Sequence, residues 1–267
     1  MSSYKILVLD MDDTLLNDRH TISVKNKEAL WAAQDKGIHV VLASGRPTPA
    51  MIDYARELRL DVYGSHILSF NGAVITEVAT ENDWFSQSLS MEDIHELYDY
   101  SKIFQVDIIT YLNGHIIAEK DSTYIGVEKK ITGMPFQQVN NFKSAVTQPC
   151  IKCILLEEPN YLKEVEEKLK EALPNKSIAT SKPFFLEVTQ QGIDKAASLD
   201  ILARRLQISK EDIIAVGNAA NDLSMIQYAG LGVWVDNVTP ELRSFADVIV
   251  RSNNDDGVAE VVEKYLL

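Results

Sequence analysis

The chain has 267 residues, 46% of them hydrophobic and 24% charged, a composition that builds a folded core and excludes a disordered or fibrous polypeptide. At this length two lobes fit better than one domain at the upper end of the usual size range. A formal net charge of −13 argues against a general nucleic-acid or anionic-membrane surface, because both need a positive face, so any phosphate-bearing partner must meet a locally positive pocket.

No apolar run approaches the roughly 18 residues that span a bilayer, and the first residues lack a basic stretch followed by an apolar core and a cleavage site. The expected location is the cytoplasm, with no membrane partner and no nucleic-acid partner. Composition leaves the oligomeric state unread.

In chain order, residues 5–10 form a short apolar run of the kind covered on both faces in a parallel sheet, and 38–43 ("IHVVLA") reads likewise. Between them the pattern predicts a helix over 24–36, capped by Ser23 and ended by Gly37. A second helix over 49–59 opens on Thr48-Pro49. From about 84 to 185 the strands become amphipathic, and "VDIITYLNGHIIAE" is two alternating runs joined by Asn113-Gly114, a type I′ hairpin signal. Leu162, Val165, Leu169 and Leu173 predict a helix over 160–173, between candidate strands 151–156 and 177–180. After residue 190 the α/β pattern resumes, with a helix at 196–206, strands at 213–217 and 231–235, and a helix at 240–245 opening on Thr239-Pro240.

This order predicts an α/β fold: a doubly wound, Rossmann-like parallel sheet core with an inserted α+β cap domain. The core is expected at 1–83 and 186–267, discontinuous in sequence, and the cap at 84–185. Within the cap, Cys150 and Cys153 form a C-x-x-C. Positions three apart on a strand face opposite sides and no second cysteine pair exists, so neither a redox pair nor a zinc site is expected. The five histidines, His20, His39, His66, His95 and His115, show no close ligand spacing.

The chemistry-bearing residues fall at strand ends, where open α/β sheets bind ligands. Asp10 ends the first strand, and Asp12 and Asp13 follow within three residues. Two carboxylates about 4 Å apart at an effective dielectric near 20 repel by roughly 4 kcal/mol, so the crowding needs an offset, and Mg²⁺ is the expected one. Ser44 follows the second strand, while Asn218, Asn221 and Asp222 follow the strand at 213–217; Lys195 lies just before a helix. A divalent cation held by carboxylates, with a lysine and a hydroxyl, is what a phosphoryl group needs.

"DMDDTLL", "ASGRP", "GIDKAASL" and "GNAANDLSMI", in that order, resemble the four signature motifs of the haloacid dehalogenase superfamily. With the large insertion between the second and third, and with "SFNGA" at 69–73 and "DDGVAEVVEKYL" near the end, the chain is similar to the Cof-type sugar-phosphatase branch. The resemblance covers essentially the whole chain. It implies a Mg²⁺-dependent phosphatase acting on a small phosphorylated metabolite, a sugar phosphate or phosphorylated cofactor, through an aspartyl-phosphate intermediate. Asp10 would be the nucleophile, Asp12 the general acid and base, and Lys195 the catalytic cation. Ser44, Gly45, Arg46, Asn71 and Asn221 would meet the substrate, and Asp10, the carbonyl of Asp12, Asn218 and Asp222 would serve the metal. The cap would choose the substrate.

Two positions depart from the family pattern. Asp13 stands where glycine is usual and is expected to be a solvated or capping carboxylate. Asn218 stands where the family usually has a metal-ligating aspartate, and an amide brings an oxygen without a charge. The alternatives left open are a catalytically weakened phosphate-ligand binding or regulatory protein, and a phosphomutase.

Overall fold

A computed structural model describes residues 4–267 of the chain. It divides into two compact units, residues 4–85 with Asp194–Leu267, and Ser86–Ile193.

The first unit is built on an eight-stranded sheet. Its strands are β1 (Ile6–Leu9), β2 (His39–Ala43), β3 (His66–Ser69), β4 (Val74–Glu77) and β5 (Asp83–Ser86), joined after the second unit by β12 (Ile213–Gly217), β13 (Leu231–Val235) and β14 (Val248–Val250). The order is β14-β13-β12-β1-β2-β3-β4-β5. The first six in that order run parallel, and β4 is antiparallel to β3.

Alternation along each strand sends side chains to two cores. Leu7 and Leu9 join Val40, Leu42, Ile214 and Val216 on one face, packed by α1 (Val24–Asp35), α2 (Pro49–Glu57) and α9 (Gly257–Tyr265). Ile6 and Val8 join Val41, Ile213 and Ala215 on the other, packed by α7 (Lys195–Leu206) and α8 (Leu223–Tyr228). Helices therefore cover both faces, which is why these strands read as continuous apolar runs.

The chain leaves β1 toward β2 on one side and later returns to β12 on the other, so the strand order reverses between β1 and β12. That gap is the topological switch point of the sheet.

The second unit has its own six-stranded sheet: β6 (Asp107–Leu112), β7 (His115–Ala118), β8 (Phe136–Gln138), β9 (Cys153–Leu156), β10 (Lys176–Lys182) and β11 (Phe185–Gln190), in the order β10-β11-β9-β6-β7-β8. Leu112 pairs with His115 across Asn113-Gly114, the hairpin turn expected there. Helices α3 (Met91–Phe104) and α6 (Pro159–Ala172) cover one face with Ile94, Leu97, Leu162, Val165 and Leu169, while α4 (Thr123–Thr132) and α5 (Phe142–Ala145) complete the unit.

Several expectations shift in detail. The boundary read at 185/186 falls at the start of β11, whose residues pair with β9 and β10 of the second sheet, so this strand groups with Ser86–Ile193. Trp84 and Phe85, at the start of the segment read as cap, pack instead with the Ile6–Val8 face of the first unit. Ser23 caps α1 by accepting from Asn26 N–H (3.0 Å). Thr48 does not cap α2; its hydroxyl hydrogen-bonds Ser69 Oγ at 2.7 Å. Pro240–Phe245 is a 3₁₀ turn and not an α-helix. The cysteines are free and buried, and both join the same apolar cluster, because the strand begins only at Cys153 and its alternation does not extend back to Cys150. Burial pushes both thiols above the usual range, which makes them poor nucleophiles.

No helix among the described residues is long and apolar enough to cross a membrane.

Candidate active site

The backbone of Asp10 continues β1: its N–H donates to the Val216 carbonyl (2.9 Å), tying it to the end of β12 at the switch point. The chain then makes a wide turn, closed by Leu16 N–H donating to the Met11 carbonyl (2.9 Å). Asp13 sits in the left-handed region (φ 58°, ψ 15°), a conformation in which Asp and Asn are the commonest non-glycine residues. Its side chain is exposed, and its carbonyl accepts from Asn237 Nδ2 (2.7 Å).

Lys195 is the first residue of α7, whose N-cap Asp194 accepts from Ala197 N–H (2.7 Å). Gly72 lets the 70–72 turn lie against that helix start: a Cβ on it would stand 2.4 Å from Ser198 Oγ and 2.5 Å from the Asp194 carbonyl oxygen. The Lys195 ammonium is wholly buried and donates to Asp10 Oδ1 and Asp222 Oδ1, each at 2.6 Å. Burial by itself would lower the ammonium, but the carboxylates of Asp10 and Asp222 outweigh it and hold Lys195 above its ordinary value. Burial, helped by the Asp222 charge, raises the Asp10 carboxyl to about 7 against the opposing pull of Lys195.

Asp222 is fully buried with both oxygens engaged. Oδ1 takes Lys195, while Oδ2 accepts the backbone N–H groups of Asn218 and Ala219, both at 3.0 Å. Gly217 makes this closure possible, since a Cβ there would lie 2.6–2.7 Å from the Asp222 side chain. Asp222, expected among the metal residues, has both carboxylate oxygens hydrogen-bonded: it holds the lysine and shapes the loop after β12. Asn218 directs Oδ1 to the Thr14 hydroxyl, which donates at 3.1 Å.

Arg46 grips Asp12 with both arms of its guanidinium, Nε to Oδ2 at 2.8 Å and Nη2 to Oδ1 at 2.6 Å. Burial opposes the Arg46 charge, but Asp12 overcomes it and raises the guanidinium above its ordinary value. Its Cζ also lies 5.4 Å from the centroid of the Tyr54 ring. The carboxylate crowding of the first turn, for which Mg²⁺ was the expected offset, is met in the structure by two side-chain cations, Lys195 on Asp10 and Arg46 on Asp12.

Ser44 is buried, its hydroxyl oxygen accepts from Arg46 N–H (3.2 Å), and its carbonyl accepts from Asn71 N–H (2.9 Å). Gly45 leaves room for the Asn71 side chain, which a Cβ would approach to 3.3 Å. Asn71 Oδ1 in turn accepts from Asn221 Nδ2 (3.2 Å), linking the loops after β3 and β12.

Asp10, Lys195 and Asp222 thus form one hydrogen-bonded centre, Asp12 and Arg46 a pair beside it in the chain, and Ser44, Gly45, Asn71 and Asn221 an interlocked set. Thr14 and Tyr54 join these residues without a motif of their own. Thr14 stands inside "DMDDTLL" and is readable there as a hydroxyl donor, whereas nothing in the sequence links Tyr54 to Arg46.

Among the described residues no group of three or more His, Cys, Asp or Glu side chains forms a metal-holding shell. The remaining donors are Asp10 Oδ2, the Asp12 carbonyl and the Asn218 amide oxygen. All are hard oxygens, which suits Mg²⁺, an ion that takes one or two carboxylates and keeps positions for water and phosphate.

A family model for haloacid dehalogenase-like hydrolases matches residues 7–262. The chain is 30% identical to a putative phosphatase, YxeH, of Bacillus subtilis (strain 168) over 99% of each protein. It is 27% identical to the 5-amino-6-(5-phospho-D-ribitylamino)uracil phosphatase YcsE of the same organism, over 98% of this chain and 96% of that one. A crystal structure of a haloacid dehalogenase-like hydrolase from Bacteroides thetaiotaomicron superposes with a TM-score of 0.93 at 37% identity, covering 98% of this chain and 99% of the other. The chain belongs to the haloacid dehalogenase-like hydrolases, in their Cof-type phosphatase branch.

Proposed function

We propose that the protein hydrolyses small phosphomonoesters, with Mg²⁺, through a phosphorylated Asp10. The observation that carries this reading is the buried Lys195 ammonium bridging Asp10 and Asp222 at the switch point, which fixes a cation beside a carboxylate whose second oxygen, Oδ2, accepts from no described residue.

In this reading a carboxylate oxygen of Asp10 attacks phosphorus, the ester P–O bond breaks, and the leaving alkoxide takes the proton that Asp12 carries, entering this step as the neutral acid. Asp12 then takes a proton from the water that attacks the aspartyl-phosphate, inorganic phosphate leaves, and Asp10 is restored. Lys195 spends two of its three N–H bonds on carboxylates and has a third for a phosphoryl oxygen. Ser44 accepts from Arg46 N–H, which leaves its own O–H free to donate. Asn221 adds amide donors at the rim. Arg46, expected among the substrate residues, spends its fork on Asp12 and acts by positioning it. The Asp10 carboxylate, through the oxygen that does not attack, the Asp12 carbonyl and Asn218 Oδ1 would hold Mg²⁺, which when bound neutralises phosphoryl oxygens and favours ionised Asp10.

The unit Ser86–Ile193 is assigned the role of substrate-selecting cap. Sugar phosphates and phosphorylated cofactor precursors are the favoured class, supported by the name of the ribitylaminouracil phosphatase relative. A cytoplasmic location suits such charged metabolites.

The test is phosphate release from p-nitrophenyl phosphate and a panel of sugar and polyol phosphates, with and without Mg²⁺, for the native protein and Asp10→Asn. Magnesium-dependent release that disappears in Asp10→Asn is expected. A native protein that binds phosphate but releases none would favour the binding-protein reading, to which the neutral Asn218 points. Isomerisation of a hexose phosphate without phosphate release would show a mutase.

A further inference from the structure

The charges around Asp10 are nearly spent on one another. Three carboxylates, of Asp10, Asp12 and Asp222, stand against two cations, Lys195 and Arg46. Both Asp12 oxygens accept from Arg46, and Asp222 divides its oxygens between Lys195 and two backbone N–H groups. Asp10 Oδ1 accepts from Lys195, which leaves Asp10 Oδ2 as the one oxygen of the three groups to which no described residue donates. The other side-chain oxygen suited to a metal, Asn218 Oδ1, is uncharged and shared with the Thr14 hydroxyl.

We propose, resting on the phosphatase reading, that this site holds Mg²⁺ and a phosphate dianion as a coupled pair, each binding weakly without the other. A hard dication needs anionic oxygens to replace its waters, and the protein offers one free carboxylate oxygen and a single net negative charge. A phosphate dianion entering the same centre meets that net negative charge, and a dication beside it reverses the sign. Each ligand supplies the charge that the site lacks for the other, and linkage makes the gain equal in both directions. Asn218 sets the size of the effect. An aspartate there would keep the hydrogen bond from Thr14 and add a second anionic oxygen, so that Mg²⁺ would bind without needing the phosphate charge.

The test is calorimetric titration of Mg²⁺ into the full chain at pH 7.5, with and without saturating inorganic phosphate, for the native protein and Asn218→Asp. A protein-free titration corrects for the magnesium–phosphate complex. For the native protein, phosphate is expected to tighten Mg²⁺ binding by about 10-fold or more, and Mg²⁺ to tighten phosphate binding by the same factor. Asn218→Asp is expected to bind Mg²⁺ alone about 10–100-fold more tightly than the native protein, with smaller coupling. Equal Mg²⁺ affinity with and without phosphate in the native protein overturns the inference, as does a folded Asn218→Asp with unchanged Mg²⁺ affinity. Should the variant fail to melt in one transition, the native titrations decide alone. A native protein that turns over substrate with Mg²⁺ but shows no coupling rejects this inference and keeps the phosphatase reading; coupling without phosphate release rejects that reading and keeps this one.

Discussion

Lys195 and Asp222 are both sealed from solvent, with the ammonium 2.6 Å from the carboxylate Oδ1. Substituting Lys195 by Met leaves Asp10 and Asp222 buried without their cation. Breaking a buried pair in this way costs about 3–5 kcal/mol, so denaturant unfolding is expected to show a loss of that order together with loss of phosphate release. Asp222→Asn in the same chain should recover part of the stability and none of the activity. Native-like stability in Lys195→Met would refute the bridging role.

Arg46 meets Asp12 through a planar fork that lysine does not reproduce. Arg46→Lys is therefore expected to lower kcat about 10–100-fold on alkyl phosphates, whose poor leaving group needs the Asp12 proton, with little change in KM. With p-nitrophenyl phosphate, whose leaving group departs without protonation, the loss should be several-fold smaller. A uniform rise in KM across both substrates would return Arg46 to substrate binding.

Gly217 has no room for a methyl group, with Asp222 Cβ, Cγ and Oδ2 all within 2.7 Å of the position a Cβ would take. Gly217→Ala should cost about 1–3 kcal/mol, as overpacking does, and should displace Asp222 from the lysine. Thermal melting together with phosphate release measures both effects. Unchanged melting and full activity would show that the loop shifts at little cost.

His66 is buried on β3, edge-on to Trp84 with ring centroids 4.0 Å apart, and neither ring nitrogen has a hydrogen-bond partner. Burial lowers its pKa to about 4; Glu77 opposes the shift, while His39 and Arg205 add to it. Below an unfolded value near 6.5 the unfolded chain takes up a proton that the folded one refuses, so stability falls between about pH 6.5 and pH 4 and is fully present above that window. The loss across it is about 3 kcal/mol. Urea unfolding at pH 7.5 and pH 5 should show a clear drop for the native protein and a smaller one for His66→Phe. Identical pH slopes in the two proteins would exclude His66 as the source.

The order of apolar runs and capped helices was enough to read the doubly wound sheet and to put Asp10, Ser44, Asn218 and Asp222 after its strands, because burial on both faces leaves a continuous apolar signature. The same local signal misled at β11. Phe185–Gln190 carries residues suited to either sheet, and only its pairing with Leu156 and Thr180 decides which it joins. Pro240–Phe245 carries the opening of a helix, but it is a 3₁₀ turn in the structure.

The sequence by itself determined the identity and spacing of the reactive groups, including the neutral Asn218 in a place otherwise rich in carboxylates. Only the tertiary structure decided which cation neutralises which carboxylate. Arg46 reaches Asp12 across 34 positions of sequence, and Lys195 reaches Asp10 across 185. Pairings at such separations follow from how strands order and helices cross over. Local sequence carries no record of them, so Asp10, Asp12 and Asp222 look alike as letters and become a nucleophile candidate, a gripped carboxylate and a buried brace only when the sheet brings their partners to them.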